Sequence, residues 1–222
     1  MDKTVEICGL SKAYTQGHEQ ILVLDDLDFH ISRGEFVSIV GPSGSGKSTL
    51  LNLVGLLDDA YSGEIRLFGR RMEDLDEAQK AVLRLKSIGF VFQFDSLLPE
   101  FTVLENIELP ARLLKNAGTA DGLELLRRFG LEEIAQKFPM DISGGEKQRA
   151  AMLRALRNSP ALLIADEPTG NLDRHNSGVI LDDLKSASGL GAAVLMVTHN
   201  EEAARRADRV LRMTAGKLEI IK

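Results

Sequence analysis

Four short apolar runs recur along the chain, and polar or glycine-rich residues follow each of them. The runs cover residues 36–40, 88–92, 162–165 and 193–197. Short, nearly continuous apolar runs rich in strand formers are typical of strands buried in a mostly parallel sheet. Longer segments with helical periodicity separate them, at 47–57, 145–157 and 177–187. This alternation predicts an α/β fold with functional groups at the carboxyl ends of the strands.

Two regions depart from that alternation. Apolar and polar residues alternate over 4–10 and 22–31, and 63–68 resembles a further strand, so we expect an antiparallel sheet appended to the core. Residues 94–160 carry helix signals and no convincing strand, which predicts an all-helical insertion. We therefore expect a single domain over 1–222, with a core of residues 1–93 and 161–222 and a helical subdomain of residues 94–160.

The composition restricts the class of protein and of partner. With 222 residues, 44% of them hydrophobic, the chain can bury one substantial core. Its net charge of −6 argues against nucleic acid as a partner, because neutralising phosphates requires a basic surface. The single cysteine, Cys8, cannot form an internal disulfide, and its strand-like setting predicts a small core residue in a reducing, cytosolic compartment.

No membrane or export segment is evident in the sequence. The first residues contain no apolar signal-peptide region, so we expect no secretory signal. The longest apolar stretches, at 50–57 and 192–197, fall well short of the roughly 20 residues that span a bilayer. If the protein works at a membrane, we expect another chain to span it.

A phosphate-binding loop follows the first apolar run. It matches G-x-x-x-x-G-K-[ST] between a strand and a helix, with the residues Gly41, Pro42, Ser43, Gly44, Ser45, Gly46, Lys47, Ser48 and Thr49. Glycines allow backbone N–H groups to surround phosphate oxygens, and the helix start adds partial positive charge. We expect Lys47 to reach the terminal phosphates and Ser48 to bind Mg²⁺. A turn that only caps a helix would leave the combination of strand, glycines and lysine unexplained.

Two acidic residues end the third apolar run. Asp166 is expected to hold Mg²⁺, directly or through water. Glu167 is one residue further, where strand alternation turns it the other way, and we expect it to polarise the water that attacks the γ-phosphate. The alternative is a solvated acidic turn ending at Pro168, which the phosphate loop makes the weaker interpretation.

A second helix start has the features of an anion site. Ser143 and Glu146, three residues apart, suit an ordinary capping box. The intervening Gly144 and Gly145 cost helix stability, and glycine is tolerated where the backbone must approach a ligand closely. The chain would therefore carry two separate phosphate-binding helix starts.

Together these motifs resemble those of the ABC ATPase family. The phosphate loop matches the Walker A motif, 142–146 the signature, 162–166 the Walker B motif, and Asn171, Leu172 and Asp173 the D-loop. The resemblance covers nearly the whole chain in the order of the family. It implies a P-loop NTPase (RecA-like) fold that binds ATP and Mg²⁺ and hydrolyses ATP. It also implies a homodimer with two ATPs held head to tail, each between the Walker A motif of one subunit and the signature of the other.

The resemblance assigns roles to residues that are weak signals on their own. Gln93 would contact the metal or water and sense the membrane partner, and His199 would contact the γ-phosphate, acting with Glu167 and Lys47 in catalysis. Asp173 joins the signature residues in the nucleotide-binding set. Tyr14, in a polar turn, matches the adenine-stacking aromatic of the family, and simple packing is the alternative.

The signature departs from the commonest family form at two positions. Ile142 and Glu146 stand where that form has Leu and Gln. We expect Glu146 to lie on the far side of the turn from the glycine amides, so that ATP hydrolysis survives the added acid.

Residues 93–107 and 166–173 resemble the ABC subgroup that serves lipoprotein release, macrolide export and the cell-division permease complex. This implies a peripheral protein at the cytoplasmic face of the inner membrane, with a groove near Gln93 to Phe101 that receives integral membrane permease subunits. Four apolar residues would then be partly exposed, although packing beneath the helical subdomain explains each equally well: Phe94, Leu97, Leu98 and Phe101.

Three rival functions remain open at this point. A soluble P-loop GTPase or kinase would share the phosphate loop, but the chain has no N-K-x-D motif and such an enzyme leaves the second helix start unexplained. An ABC ATPase that acts on DNA or ribosomes usually carries a coiled coil or two fused ATPase halves, and neither is visible. A non-transporting regulator of a membrane complex is hardly separable by sequence from a transporter subunit.

Overall fold

The computed structural model describes residues 2–17, 19–93, 97–114 and 121–222. The strands are β1 (Lys3–Gln16), β2 (Glu19–Ser32), β3 (Phe36–Val40), β4 (Ser62–Leu67), β5 (Arg70–Arg71), β6 (Ile88–Val91), β7 (Leu162–Asp166), β8 (Ala193–Thr198), β9 (Arg209–Thr214) and β10 (Lys217–Ile220). The α-helices are α1 (Lys47–Val54), α2 (Glu77–Ser87), α3 (Val103–Leu113), α4 (Gly122–Arg128), α5 (Gly144–Leu156), α6 (Arg174–Gly189) and α7 (Glu201–Ala204). Short 3₁₀ turns lie at Met72–Asp74, Glu132–Ile134 and Pro139–Asp141.

The central sheet has six strands in the order β10-β9-β3-β8-β7-β6. All neighbours are parallel except β9 and β10, which are antiparallel. In its register Val40 pairs with Thr198, and Asp166 pairs with Val197. Because three adjacent parallel strands end at the same level, the residues that follow β3, β7 and β8 emerge along one edge of the sheet.

A second sheet, antiparallel and in the order β2-β1-β4-β5, shares one core with α1 and one face of the central sheet. Buried residues from all three parts meet in it, such as Val5, Leu50 and Ile39. Strands β1 and β2 extend beyond the segments predicted from hydrophobic alternation. The first residues of β2 are exposed, so no alternation of apolar and polar residues indicates this part of the strand. The appended antiparallel sheet is confirmed.

The opposite face of the central sheet is covered by α6 and α7. Phe36 and Val40 of β3 point to this side, where they join Leu184 of α6 and Ala203 of α7 in a second core, while the alternate residues Val37 and Ile39 face α1. Side chains of a strand alternate between faces, so both faces of β3 are apolar and covered.

The described residues between β6 and β7 form helices and 3₁₀ turns, with no strand among them. They have their own core, which includes Val103, Leu126 and Leu153. Glu108 of α3 accepts hydrogen bonds from Arg157 at 3.0 and 2.8 Å and from the Gly122 amide, so it joins α3, α4 and the end of α5. The predicted fold class is confirmed, and the boundaries 94–160 stay a prediction.

The structure corrects several details of the sequence reading. Cys8 is exposed, because alternation along β1 places it opposite the buried Val5 and Ile7. Leu97 is buried in the helical core, Leu98 is 38% exposed and Phe101 is partly exposed, whereas Phe94 lies outside the described residues.

Five of the described elements have no counterpart in the prediction: α2, β5, α7, β9 and β10. Helix α2 buries none of its residues fully, and β10 is mostly exposed. Among the described helices, none combines the length and the apolar character needed to cross a membrane.

Candidate active site

The phosphate loop connects β3 to α1 in a conformation that only glycine adopts easily at two positions. Gly44 has φ of 77° and Gly46 has φ of 106°. A Cβ atom on Gly46 would lie 2.8 Å from the Val23 carbonyl oxygen, and one on Gly41 would lie 2.2 Å from the Met213 carbonyl oxygen. The left-handed torsions of Gly44 and Gly46 and the close contacts at Gly41 and Gly46 therefore exclude larger residues from these three positions.

Two polar side chains of the loop suit a bound phosphate. Lys47 is buried and donates hydrogen bonds from Nζ to the carbonyl oxygens of Gly41 at 2.8 Å and Pro42 at 2.9 Å. Within the described residues, the buried Ser45 Oγ has no hydrogen-bond partner. An ammonium group held inside the loop and an unsatisfied hydroxyl beside it fit an anion with several oxygens.

Asp166, at the end of β7, lies near enough to the Ser48 hydroxyl of the phosphate loop for that hydroxyl to affect its pKa. Burial raises the pKa of its carboxyl, and the charge of Glu167 raises it further, while the Ser48 hydroxyl and the charge of Lys47 act in the opposite direction. A hydroxyl and a carboxylate brought together beside a phosphate loop are oxygen ligands of the kind that Mg²⁺ takes.

Glu167 turns out of β7 toward the end of β8. Its φ is 45°, in the left-handed region, and its amide donates to the Val197 carbonyl oxygen at 3.0 Å. The Thr198 hydroxyl donates to Oε2 at 2.9 Å, and the His199 amide donates to Oε1 at 2.8 Å. His199 Nδ1 also lies 2.8 Å from Oε1, so the structure brings the predicted acid and the predicted histidine into direct contact.

Gln93 follows β6 and lies against the loop that follows Glu167. A Cβ atom on Gly170 would be 3.0 Å from Gln93 Nε2, and Asn171 Nδ2 donates to the Gln93 carbonyl oxygen at 3.4 Å. Gln148 of α5 donates to the Phe92 carbonyl oxygen at 2.7 Å. Gln93 thus contacts the D-loop segment directly, and the residue before it, Phe92, is hydrogen-bonded to the signature helix.

The second helix start forms the capping box expected from its sequence. Ser143 Oγ donates to Glu146 Oε2 at 2.6 Å, the Ser143 amide donates to the same oxygen at 2.7 Å, and the Glu146 amide donates to Ser143 Oγ at 3.3 Å. The bonds from the Ser143 side chain and amide hold the pKa of Glu146 below its usual range. The Glu146 carboxylate therefore folds back onto Ser143 at the helix start, and its position on the far side of the turn from the glycine amides stays a prediction.

Gly145 is covered by a residue of α6. A Cβ atom on it would lie 2.6 Å from Asn176 Oδ1. Asp173, the N-cap of α6, accepts hydrogen bonds from the Asn176 amide at 2.9 Å and from Asn176 Nδ2 at 2.6 Å. The signature and the D-loop aspartate are therefore linked through Asn176, which the sequence reading did not identify.

Tyr14 lies on β1, close to the strand that covers the phosphate loop. Its ring is 42% exposed, its hydroxyl donates to Asp58 at 3.0 Å, and Lys12 Nζ lies 4.8 Å from the ring centroid. The buried Lys12 bonds Asp58 at 2.7 Å, which fixes one side of the ring. An exposed, anchored aromatic ring at this position suits stacking.

The predicted residues therefore fall into two groups. Lys47, Asp166, Glu167 and His199 gather at the edge of the central sheet. The second group, Ser143 and Glu146, lies at the start of α5, where the two residues are hydrogen-bonded to each other.

Comparison with known proteins identifies the family of the chain. The family model described as ABC transporter matches residues 24–170. The chain belongs to the ABC transporter family. As a member of it, the protein is an ATPase that binds ATP.

Relatives match almost the full length. The lipoprotein-releasing system ATP-binding protein LolD of Zymomonas mobilis subsp. mobilis is 39% identical over 98% of this chain and 95% of its own. The protein of the same name from Bordetella pertussis is 45% identical over 95% of this chain and 93% of its own. That from Xanthomonas oryzae pv. oryzae is 46% identical over 95% and 88%.

A solved structure supports the fold directly. It is the dimeric structure of a post-hydrolysis state of the ATP-binding cassette MJ0796 bound to ADP and Pi. The two chains share 38% identity with a TM-score of 0.86, over 98% of this chain and 99% of that one.

Proposed function

We propose that the protein is the ATP-hydrolysing subunit of a lipoprotein-releasing transporter, working as a homodimer on integral membrane subunits at the cytoplasmic face of the inner membrane. The observation that carries the ATPase part is the convergence of Lys47, Asp166, Glu167 and His199 at one edge of the sheet. The near full-length similarity to lipoprotein-releasing ATP-binding proteins supports the cargo class.

The phosphate loop holds the triphosphate of ATP. Its backbone amides and the start of α1 surround the β- and γ-phosphates, and Lys47 exchanges the loop carbonyls of Gly41 and Pro42 for phosphate oxygens. Tyr14 stacks on the adenine. Since Lys47 is already inside the loop, binding requires only a short movement of its ammonium group.

Ser48, Asp166 and Gln93 hold Mg²⁺, which neutralises charge on the phosphates when it is bound. The Ser48 hydroxyl lowers the pKa of Asp166, so the two side chains lie near each other, as two ligands of one ion would. Asp166 must be ionised for this, and its raised pKa places the competition with protons at a higher pH than for an exposed aspartate.

Glu167 orients and polarises the attacking water, and His199 contacts the γ-phosphate. In the structure the two side chains are within hydrogen-bond distance of each other, with His199 Nδ1 and Glu167 Oε1 2.8 Å apart. Exchange of that contact for a phosphate contact is the local change that we associate with ATP binding. His199 is free to make it, because 69% of its side chain is exposed.

The signature completes the site of a second subunit. The amides of Gly144 and Gly145 and the Ser143 hydroxyl bind the γ-phosphate of the partner's ATP, beside Glu146, and Asp173 lies at the same interface. The link from Gly145 through Asn176 to Asp173 supports their acting as one unit. A dimeric solved relative with 38% identity supports the assembly.

The membrane subunits dock in a groove beside the predicted segment Gln93 to Phe101, and the residues that line this groove lie outside that segment. A groove of about 420 Å³ lies between α2, β6, α3 and α5, with Leu57, Phe92, Arg84 and Pro110 in its wall. Leu57 is 52% and Phe92 is 41% exposed, whereas the predicted Leu97 is buried. An amphipathic helix in this groove would lie directly beside Gln93.

Reconstitution with the membrane subunits tests the docking site and the cargo together. We expect Leu57→Ser to keep the basal ATPase rate and to lose most of the stimulation by those subunits. Leu190→Ser, at another site with 62% exposure, is the matched control and should keep both. Unchanged stimulation in Leu57→Ser contradicts the docking site, and failure of ATP to release lipoproteins from proteoliposomes contradicts the cargo.

A non-transporting regulator of a membrane complex is the second candidate. It stays open because residues 93–107 and 166–173 resemble a subgroup that includes the cell-division permease complex as well as lipoprotein release. The same proteoliposomes separate the two, since a regulator shows stimulated ATPase activity without lipoprotein release.

A further inference from the structure

Thr198, the last residue of β8, is a buried threonine with both hydrogen-bonding capacities of its hydroxyl in use. Its exposure is 0%. Oγ1 accepts a hydrogen bond from the Asn200 amide at 3.0 Å and donates one to Glu167 Oε2 at 2.9 Å. A hydroxyl has one proton to donate, and the Asn200 bond occupies an acceptor position. The proton of Thr198 is therefore directed to the carboxylate.

The sheet register explains why these two residues meet. Asp166 pairs with Val197, so the next residue of each strand, Glu167 and Thr198, are also neighbours. Glu167 adopts φ of 45°, in the left-handed region, which is unfavourable for a non-glycine residue. The local structure thus directs the Glu167 side chain toward β8 at an energetic cost, which favours a functional reason for its direction.

The two oxygens of Glu167 have different partners. Oε1 bonds His199, whose side chain is 69% exposed, whereas Oε2 bonds the fully buried Thr198. When His199 turns to the γ-phosphate, its side-chain bond to Oε1 is released. The bond from Thr198 remains, because that residue is part of the sheet core.

We infer that Thr198 is a positioning residue for hydrolysis: its hydroxyl holds Glu167 Oε2 and so leaves Oε1 directed at the attacking water. This inference rests on the proposed role of Glu167 as the base. A general base must be held at hydrogen-bond distance from its proton, and a displacement of about 1 Å can cost on the order of 100-fold in rate.

Thr198→Val tests it, because valine keeps the shape of threonine and lacks the hydroxyl. We expect kcat of the ATPase, measured with the co-purifying membrane subunits, to fall about 10- to 100-fold. KM for ATP and the affinity for ADP should stay within about twofold of the wild type. Thr198→Ser restores the hydroxyl and should recover most of kcat, and Thr4→Val makes the same change at a buried threonine of β1 and should leave kcat unchanged.

A double-mutant cycle with Glu167→Ala separates positioning from a general structural effect. Without the carboxylate, Thr198→Val should lower the residual single-turnover rate no further. The inference is wrong if Thr198→Val lowers that rate by its full factor, if it leaves kcat of the wild type unchanged, or if serine does not recover it. Loss of the fold in both Thr198→Val and Thr198→Ala would show that the hydroxyl serves folding, which also overturns it. A wild-type protein with no ATPase activity would instead contradict the proposed function.

Discussion

At the scale of single residues, the contact between Glu167 and His199 is the central feature. It joins the residue after β7 to the residue after β8, with Oε1 and Nδ1 2.8 Å apart. Neither residue is informative in isolation. Their predicted roles follow from their position at the ends of adjacent parallel strands, beside the phosphate loop.

Glu167→Gln should separate ATP binding from hydrolysis. Glutamine keeps the size of the side chain and removes the base, so we expect ATP binding to persist and turnover to fall at least about 100-fold. ATP should then hold the protein as a dimer in light scattering after size exclusion. Glu77→Gln, at a 74% exposed position of α2, is the control and should hydrolyse normally. Hydrolysis at the wild-type rate in Glu167→Gln would refute the assignment of the base.

Two buried serines should respond to alanine in opposite directions. Ser38 Oγ in β3 has no hydrogen-bond partner in the described structure, whereas Ser188 Oγ donates to the Lys185 carbonyl oxygen at 2.9 Å. We expect Ser38→Ala to raise the free energy of unfolding by about 1 kcal/mol and Ser188→Ala to lower it by about as much. Urea denaturation measures both, and a destabilised Ser38→Ala would indicate a partner for that hydroxyl.

At the scale of elements, three helices begin with the same capping motif. Capping boxes form at Asp76 of α2, Thr102 of α3 and Ser143 of α5, each with Gln or Glu three residues later. Only the third has two glycines inside the box. All three starts share the ordinary capping function, and the pair of glycines, which lets a ligand approach the backbone closely, distinguishes the third.

Glu108 should determine the stability of the helical part of the molecule. It bonds Arg157, which is 5% exposed, and the start of α4. Glu108→Ala leaves a buried guanidinium without its partner, so we expect the free energy of unfolding to fall by about 3 kcal/mol.

The exposed pair of Arg206 and Asp182 gives the matched comparison. Their side chains are 52% and 63% exposed, and Asp182→Ala should cost less than about 1 kcal/mol. Equal losses in the two alanine variants would show that burial does not control the strength of the Glu108 contact.

At the scale of the whole molecule, the phosphate loop and the signature are separate half-sites. The first lies between the two sheets and the second at the start of α5 in the helical part. The ATPase mechanism proposed above joins them only across two subunits.

The ATPase rate should therefore depend on subunit association. Below the dimerisation constant, we expect the rate per subunit to rise in proportion to protein concentration, and to reach a plateau above it. Dilution at saturating MgATP measures this. A rate per subunit that stays constant down to concentrations where light scattering reports only monomers would contradict the shared site.

The sequence by itself determined the α/β class, the phosphate loop and the acidic end of β7. These are local features: apolar runs of strand length, glycines with lysine at fixed spacing, and two carboxylates directly after a buried strand. It did not reveal α2, β9 or β10. Helix α2 has an amphipathic pattern and a capping box at its start, so its signals were present and were missed, whereas β10 is largely exposed and its alternation does not indicate a buried strand.

The tertiary structure decided which residues meet. Strand order and register, set by packing across the whole sheet, bring Thr198 and His199 against Glu167, which is 31 residues away from Thr198 in sequence. The same packing buries Leu97 and places Asn176 against Gly145. Such contacts depend on long-range pairing, which spacing along one chain does not encode, and so only the folded molecule shows how the base is held.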